Sequence, residues 1–127
     1  VDFEVLPKLP PGLRFLDLRG ASLQVPEAAV PGWKPLASCT RLEVLNLAGN
    51  TQLSSNALLA CIGSVPSRTQ LKALDVSDTR AEASLLAAIP SQAAALTHFR
   101  CANCQKMNNH LLADLFAGLK HLEVLDI

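Results

Sequence analysis

Two histidines and two cysteines fall within thirteen residues, in the order His98-x2-Cys101-x2-Cys104-x5-His110. Cys-x2-Cys is a common zinc spacing, and a tetrahedral site accepts two thiolates and two imidazoles. The set becomes a metal centre only if the backbone brings all four side chains to one point. Cysteine also serves as a nucleophile, but then it needs a base within hydrogen-bond reach and a path for substrate. A second group with chemical potential is carboxylate: Asp17, Asp75 and Asp126, with Arg100 between the last two. The chain carries no glycine-rich phosphate loop, catalytic triad or dinucleotide fingerprint.

Whether these groups meet is decided by a pattern that recurs along the whole chain. It reads Leu13-Arg-Phe-Leu16-Asp-Leu18, Leu42-Glu-Val-Leu45-Asn-Leu47, Leu71-Lys-Ala-Leu74-Asp-Val76, Leu96-Thr-His-Phe99-Arg-Cys101 and Leu122-Glu-Val-Leu125-Asp-Ile127. The copies begin 29, 29, 25 and 26 residues apart, the period at which one short strand and one helix make a stacking unit. Side chains of an extended strand alternate between its faces. Leu45 and Leu47 therefore point inward, and Val44, Asn46 and Ala48 outward. Apolar residues at helical spacing follow: Leu58, Leu59 and Ile62; Leu85, Leu86 and Ile89; and Leu111, Leu112, Leu115, Phe116 and Leu119. Each set predicts a helix with one face on the strand layer. Ser55 or Asn56, and Asn108 or Asn109, suit helix starts, while Pro66 and Pro90 are expected to end their helices.

On these motifs the chain resembles the leucine-rich repeat family. The resemblance is nearest to the long-repeat, cysteine-containing subclasses, ribonuclease-inhibitor-like or F-box-associated, through Cys39-Thr-Arg-Leu42-Glu-Val-Leu45-Asn-Leu47 and Leu53-Ser-Ser-Asn-Ala-Leu-Leu59. Asn50 and Thr79 stand where that subclass places cysteine. The resemblance implies an α/β solenoid, a right-handed superhelix with a parallel sheet on the concave face and helices on the convex one. It also implies that an asparagine-like side chain after each strand, here Asn50 with Thr79, Cys104 and Ala21 in its place, bonds the turns of neighbouring repeats. Repeats are expected over 13–41, 42–70, 71–95 and 96–121, with the strand of a fifth over 122–127. Residues 1–12 read as a cap or the end of a preceding repeat, where Val1, Phe3 and Val5 alternate with Asp2 and Glu4. An uncovered leucine face after Ile127 points to a fragment of a longer array. Pro26, Pro31 and Pro35 forbid a regular helix in the first repeat. Trp33 beside them either anchors a partner or packs beneath the loop, and packing is favoured.

The register then separates the groups that looked reactive. Cys101 takes an inward position, Cys104 the position after the strand, His98 the outward face and His110 the next helix, so core and turn cysteines are expected rather than a metal site. Asp75, Arg100 and Asp126 share one outward column with strands about 5 Å apart, which predicts that they neutralise one another. Catalytic, cofactor and metal residues are therefore none, and the chain is not expected to be an enzyme. Eleven basic residues balance eleven acidic ones, so no surplus field draws nucleic acid or anionic lipid. Apolar stretches such as Ala57 to Gly63 fall short of the roughly 20 residues that span a bilayer. Four cysteines inside repeats, with no Asn-x-Ser/Thr acceptor, suggest reduced thiols in an intracellular, cytoplasmic setting.

What remains is the outward face. One column holds Phe15, Val44, Ala73, His98 and Val124; the next holds Asp17, Asn46, Asp75, Arg100 and Asp126; a third holds Arg19, Ala48, Ser77 and Ala102. An apolar stripe flanked by charges suits a protein partner. The sequence therefore predicts a non-catalytic protein-interaction module, a monomeric solenoid within a longer chain or complex. The alternatives are an architectural subunit of a large cytoskeletal, ciliary or ribonucleoprotein assembly, or the substrate-recognition part of a ubiquitin ligase.

Overall fold

A computed structural model describes residues 9–104 and 108–127; the strand expected around Val1, Phe3 and Val5 lies outside them. Five strands of three residues each, β1 (Phe15–Asp17), β2 (Val44–Asn46), β3 (Ala73–Asp75), β4 (His98–Arg100) and β5 (Val124–Asp126), pair in parallel in chain order. Their register puts Leu16, Leu45, Leu74, Phe99 and Leu125 in one inward row. The three central members are buried, whereas Leu16 and Leu125 on the end strands are only half buried. A three-residue strand makes too few hydrogen bonds to persist alone, so stacking of neighbours gives each strand its stability.

Among the described residues three α-helices cover the inward face: α1 (Ser55–Gly63), α2 (Ala83–Gln92) and α3 (Asn109–Gly118). Leu58 and Ile62, then Leu85, Leu86 and Ile89, then Leu111 and Leu115 are buried in one cluster with the strand row. Three of the expected inward residues turn out otherwise. Phe116 is 60% exposed, because it sits a third of a turn past Leu115 and so off the stripe that Leu111, Leu115 and Leu119 share. Leu59 and Leu112, each next to an inward leucine, are half buried for the same reason.

Helix boundaries also differ in detail from the expectation. The cap of α1 is Ser54, whose hydroxyl accepts from the Ala57 amide at 3.1 Å. Ser55 and Asn56, the two residues expected as alternatives for the cap, both lie inside the helix; Ser55 is buried, and its hydroxyl accepts from the Glu82 amide at the start of α2 at 3.1 Å. Asn108 does cap α3, accepting from the Leu111 amide at 2.8 Å. Pro66 follows the end of α1, but Pro90 lies inside α2, which runs on to Gln92. Pro90 has no amide hydrogen to donate back along the helix, so α2 gives up one backbone bond to include it. Opposite it stands Gly118 of α3, where a β-carbon would come within 2.3 Å of the Pro90 ring.

The first repeat has no α-helix, only a 3-10 turn at Glu27–Ala29. Leu23 and Leu36 are nonetheless fully buried, and Trp33 packs half buried against the same cluster, taking the space that a helix fills elsewhere.

Asn50 ties the repeats together from inside. Its amide donates to the carbonyls of Leu18 at 2.9 Å and Leu47 at 2.8 Å, and its carbonyl accepts from the Leu23 amide at 3.1 Å. The residue is fully buried, and its bonds to Leu23 and Leu47 satisfy buried backbone groups. Thr79 serves its own turn, donating to the Val76 carbonyl and accepting from the Ala81 amide. Cys104 reaches back one repeat, its thiol donating to Val76 at 3.0 Å.

Just before each of these residues, and before Ala21 in the first repeat, the chain takes a left-handed turn. Gly20, Gly49, Asp78 and Asn103 have φ of 63°, 75°, 54° and 56°. Glycine enters this region freely and Asp and Asn more readily than other side chains. Their amides extend the sheet ladder past the strands, from Gly20 to Ala48, Gly49 to Ser77 and Asp78 to Ala102, and Asn103 donates a side-chain bond to Asp78 at 2.8 Å.

Asn50→Ala is expected to cost roughly 3 kcal/mol, since it strands buried backbone groups of two repeats. Thr79→Ala should cost less, about 1 kcal/mol, because it strands only the Ala81 amide while Val76 keeps its bond from Cys104. Urea unfolding of the two variants checks this order, and equal losses would contradict it.

Candidate protein-binding surface

The reactive-looking groups are kept apart by the repeat. His98 lies on the open face of the sheet with its Nδ1 2.9 Å from the Thr97 hydroxyl. Cys101 is buried beneath the same strand, Cys104 sits in the following turn, and His110 is exposed near the start of α3. Among the described residues no three His, Cys, Asp or Glu side chains gather as metal ligands. Burial pushes the Cys61 thiol up to about 12, with the neighbouring Cys39 adding to it. Cys101 is also raised to about 12, first by burial and then by Cys104, Asp126 and Asp75. Burial raises Cys39 as well. Thiols held protonated in the core are poor nucleophiles.

The open face carries the two columns expected of it. Pairing aligns Phe15, Val44, Ala73, His98 and Val124 across the five strands, and beside them Asp17, Asn46, Asp75, Arg100 and Asp126. Phe15 is 69% exposed and Val124 36%. Between them the small Ala73 leaves a hollow of about 230 Å³, walled by Val44, His98, Asn46, Asp75, Arg19 and Arg100.

The third column departs from its expected role. Ala48 and Ser77 are buried, because alternation stops where the strand ends and the chain folds into the turn. The same turn accounts for the acids of the second column. Asp17, Asn46 and Asp75 each accept, through Oδ1, the amide two residues on, at 3.0, 2.9 and 2.9 Å. Such side-chain turns mimic a backbone turn and stop the strand. Arg100 cannot accept a bond, and in its repeat the Ala102 amide donates instead to the Ser77 hydroxyl at 3.0 Å.

The ion-pair row expected at Asp75, Arg100 and Asp126 does not form. Among the described residues the charged pairs are Arg14 with Glu43 at 3.8 Å and Arg19 with Asp17 at 3.5 Å. The backbone holds Asp75, so Arg100 is left exposed at the edge of the hollow. Both observed pairs are solvated and contribute little stability.

Comparison with solved structures places this arrangement. The chain superposes on the leiomodin-1 actin-binding site 2 with a TM-score of 0.65, at 18% identity, over 91% of this chain and 70% of that one. The fold is that of the leucine-rich repeat solenoids. An internalin from Listeria monocytogenes also matches, with a TM-score of 0.46 and 19% identity, over 91% of this chain and 41% of the internalin. No family model matches the sequence, and no curated protein matches it. Nothing in these comparisons supports the cysteine-containing subclass that the sequence suggested. No helix among the described residues is long and apolar enough to cross a membrane.

A thiol reagent at neutral pH should label Cys104 before Cys39, Cys61 or Cys101, which should react only on unfolding; rapid labelling of Cys61 in the folded protein would contradict the buried placement. The same burial sets a pH dependence. Thiols titrate near 9.0 when unfolded and near 12 in the folded core, so the unfolded state loses protons first. Their contribution to stability is complete below pH 9 and falls as pH rises towards 12. Cys101→Ala should make that decline shallower in a series of unfolding curves.

Proposed function

We propose that the chain is a non-catalytic protein-interaction module that binds a protein partner through the open, concave face of its sheet. The observation that carries this reading is the continuous column from Phe15 to Val124, with an exposed aromatic ring at one end and a hollow over Ala73 at its centre. A large apolar side chain held on a rigid strand loses little freedom on binding, which makes Phe15 a suitable anchor. Arg19, Asn46, Asp75 and Arg100 around the hollow would fix the orientation of what enters it, with Asp17, His98 and Asp126 completing the surface. Parallel pairing from strand to strand keeps these residues at fixed spacings, so the surface is organised before the partner arrives.

The buried, protonated thiols agree with a reducing, intracellular setting. The solved structure of similar fold bears the name of an actin-binding site, so actin is one purified protein to assay directly.

Phe15→Ala combined with Val44→Glu should abolish partner binding and leave the unfolding midpoint close to that of the parent, because both side chains stand on the open face. Affinity purification of the parent and double variant from their own cells, under reducing conditions, reads the first point and circular dichroism the second. Partners retained by a folded double variant would exclude the open face as the binding surface.

A further inference from the structure

The net charge of zero conceals an uneven distribution of charge across the sheet. In a parallel sheet every strand begins on one edge and ends on the other, so the residues before each strand share a rim. Arg14, Glu43, Lys72, Thr97 and Glu123 directly precede the five strands and are linked rung by rung through backbone bonds: Glu43 to Arg14, Lys72 to Glu43, Thr97 to Lys72 and Glu123 to Thr97. Arg41 and Lys120 stand beside this row, in the approach to β2 and β5. Arg14 and Glu43 face each other at 3.8 Å. Among the described residues Arg41, Lys72 and Lys120, all exposed, are then opposed on this rim by Glu123 alone. On the opposite edge, where the strands end, the carboxylates Asp17, Asp75, Asp78 and Asp126 slightly outweigh Arg19, Arg80 and Arg100.

The basic rim has shape as well as charge. One hollow runs from Arg14 and Arg41 to Lys72, and a second from Lys72 to Lys120 and His121. They adjoin at Lys72, the residue next to Ala73, whose small side chain forms the floor of the hollow on the open face. An extended segment laid along the rim therefore passes the entrance to the apolar column at its midpoint. Together these features describe a trough for a chain that carries negative charge and has an apolar side chain to place over Ala73.

We propose that the partner presents an acidic, extended protein segment, which lies in the rim trough of Arg41, Lys72 and Lys120 and places an apolar side chain over Ala73. This rests on the open-face reading and adds the charge and direction of the occupant. The juxtaposition of charged rim and apolar hollow selects a peptide over a nucleic acid or a lipid surface, because neither polyanion supplies an isolated apolar side chain at that point. Electrostatic attraction along the rim governs the rate of association and its salt dependence, and the apolar contact governs residence.

The test is fluorescence anisotropy of the whole chain with three labelled probes: a peptide of glutamate and leucine, its lysine and leucine counterpart, and single-stranded DNA of matched charge. The acidic peptide should bind, weaken as salt is added, and bind roughly tenfold more weakly to the Lys72→Glu, Lys120→Glu double variant. Both substituted side chains are exposed, and circular dichroism verifies that the variant folds. The proposal is overturned if the acidic peptide does not bind, if the rim variant binds it as the parent does, or if the basic peptide or the DNA binds equally well. A rim variant that keeps its cellular partner, when Phe15→Ala with Val44→Glu loses it, removes the acidic-segment proposal and leaves the open face standing. Loss of the partner from neither variant removes both.

Discussion

Three-residue strands set the terms for everything else in this molecule. None can bury its inward leucine alone, so each repeat depends on the one beside it, and the register of pairing becomes a condition of folding. Leu45, Leu74 and Phe99 are buried because strands lie on both sides of them, whereas Leu16 and Leu125 at the ends are not. The turn after the strand needs equal care, since some of its backbone groups, such as the Leu23 amide and the Leu47 carbonyl, are buried with the core. Asn50 meets that need across two repeats, and Thr79 and Cys104 meet it with fewer bonds. The left-handed residues at Gly20, Gly49, Asp78 and Asn103 give the backbone the sharp exit that each turn requires.

Those interior demands determine which surface residues are free for recognition. Asp17, Asn46 and Asp75 lie on the open face, yet their carbonyl or carboxylate oxygens are engaged in ending the strands. Substituting them would disturb the turns as well as the surface. The column of Phe15, Val44, Ala73, His98 and Val124 carries no such obligation, apart from the contact of His98 with Thr97. Arg100 occupies a position where its neighbours hold the backbone, and the hydroxyl of Ser77 takes over that task. A side chain is thereby released to the edge of the hollow. Stability and recognition use adjacent columns of the same strands.

Much of this was legible in the sequence because the repeat converts spacing directly into position. The strands, their order, the inward row and the two outward columns follow from period-two alternation anchored by the leucines. What failed to follow depends on local packing. Pro90 signals a helix end, but α2 runs two residues past it at the loss of one backbone bond, and Gly118 provides the space for its ring. Phe116 fits the helical spacing, but the stripe is only wide enough for Leu111, Leu115 and Leu119. The expected ion-pair row ignored the competing claim of the backbone on Asp75. Alternation was carried too far at Ala48 and Ser77, where the strand had already ended. A residue count that balances to zero could not reveal that basic residues lead into the strands.

The central claim is that recognition occurs on the open face of the sheet rather than on the helices. Site-specific photo-crosslinking tests it most directly, with a benzophenone side chain placed at Ala73 on the sheet or at Phe116 on the exposed flank of α3, in the presence of the captured partner. The account predicts a crosslinked complex from position 73 and none from position 116. Crosslinking from position 116 alone would contradict it and move the binding surface to the helices.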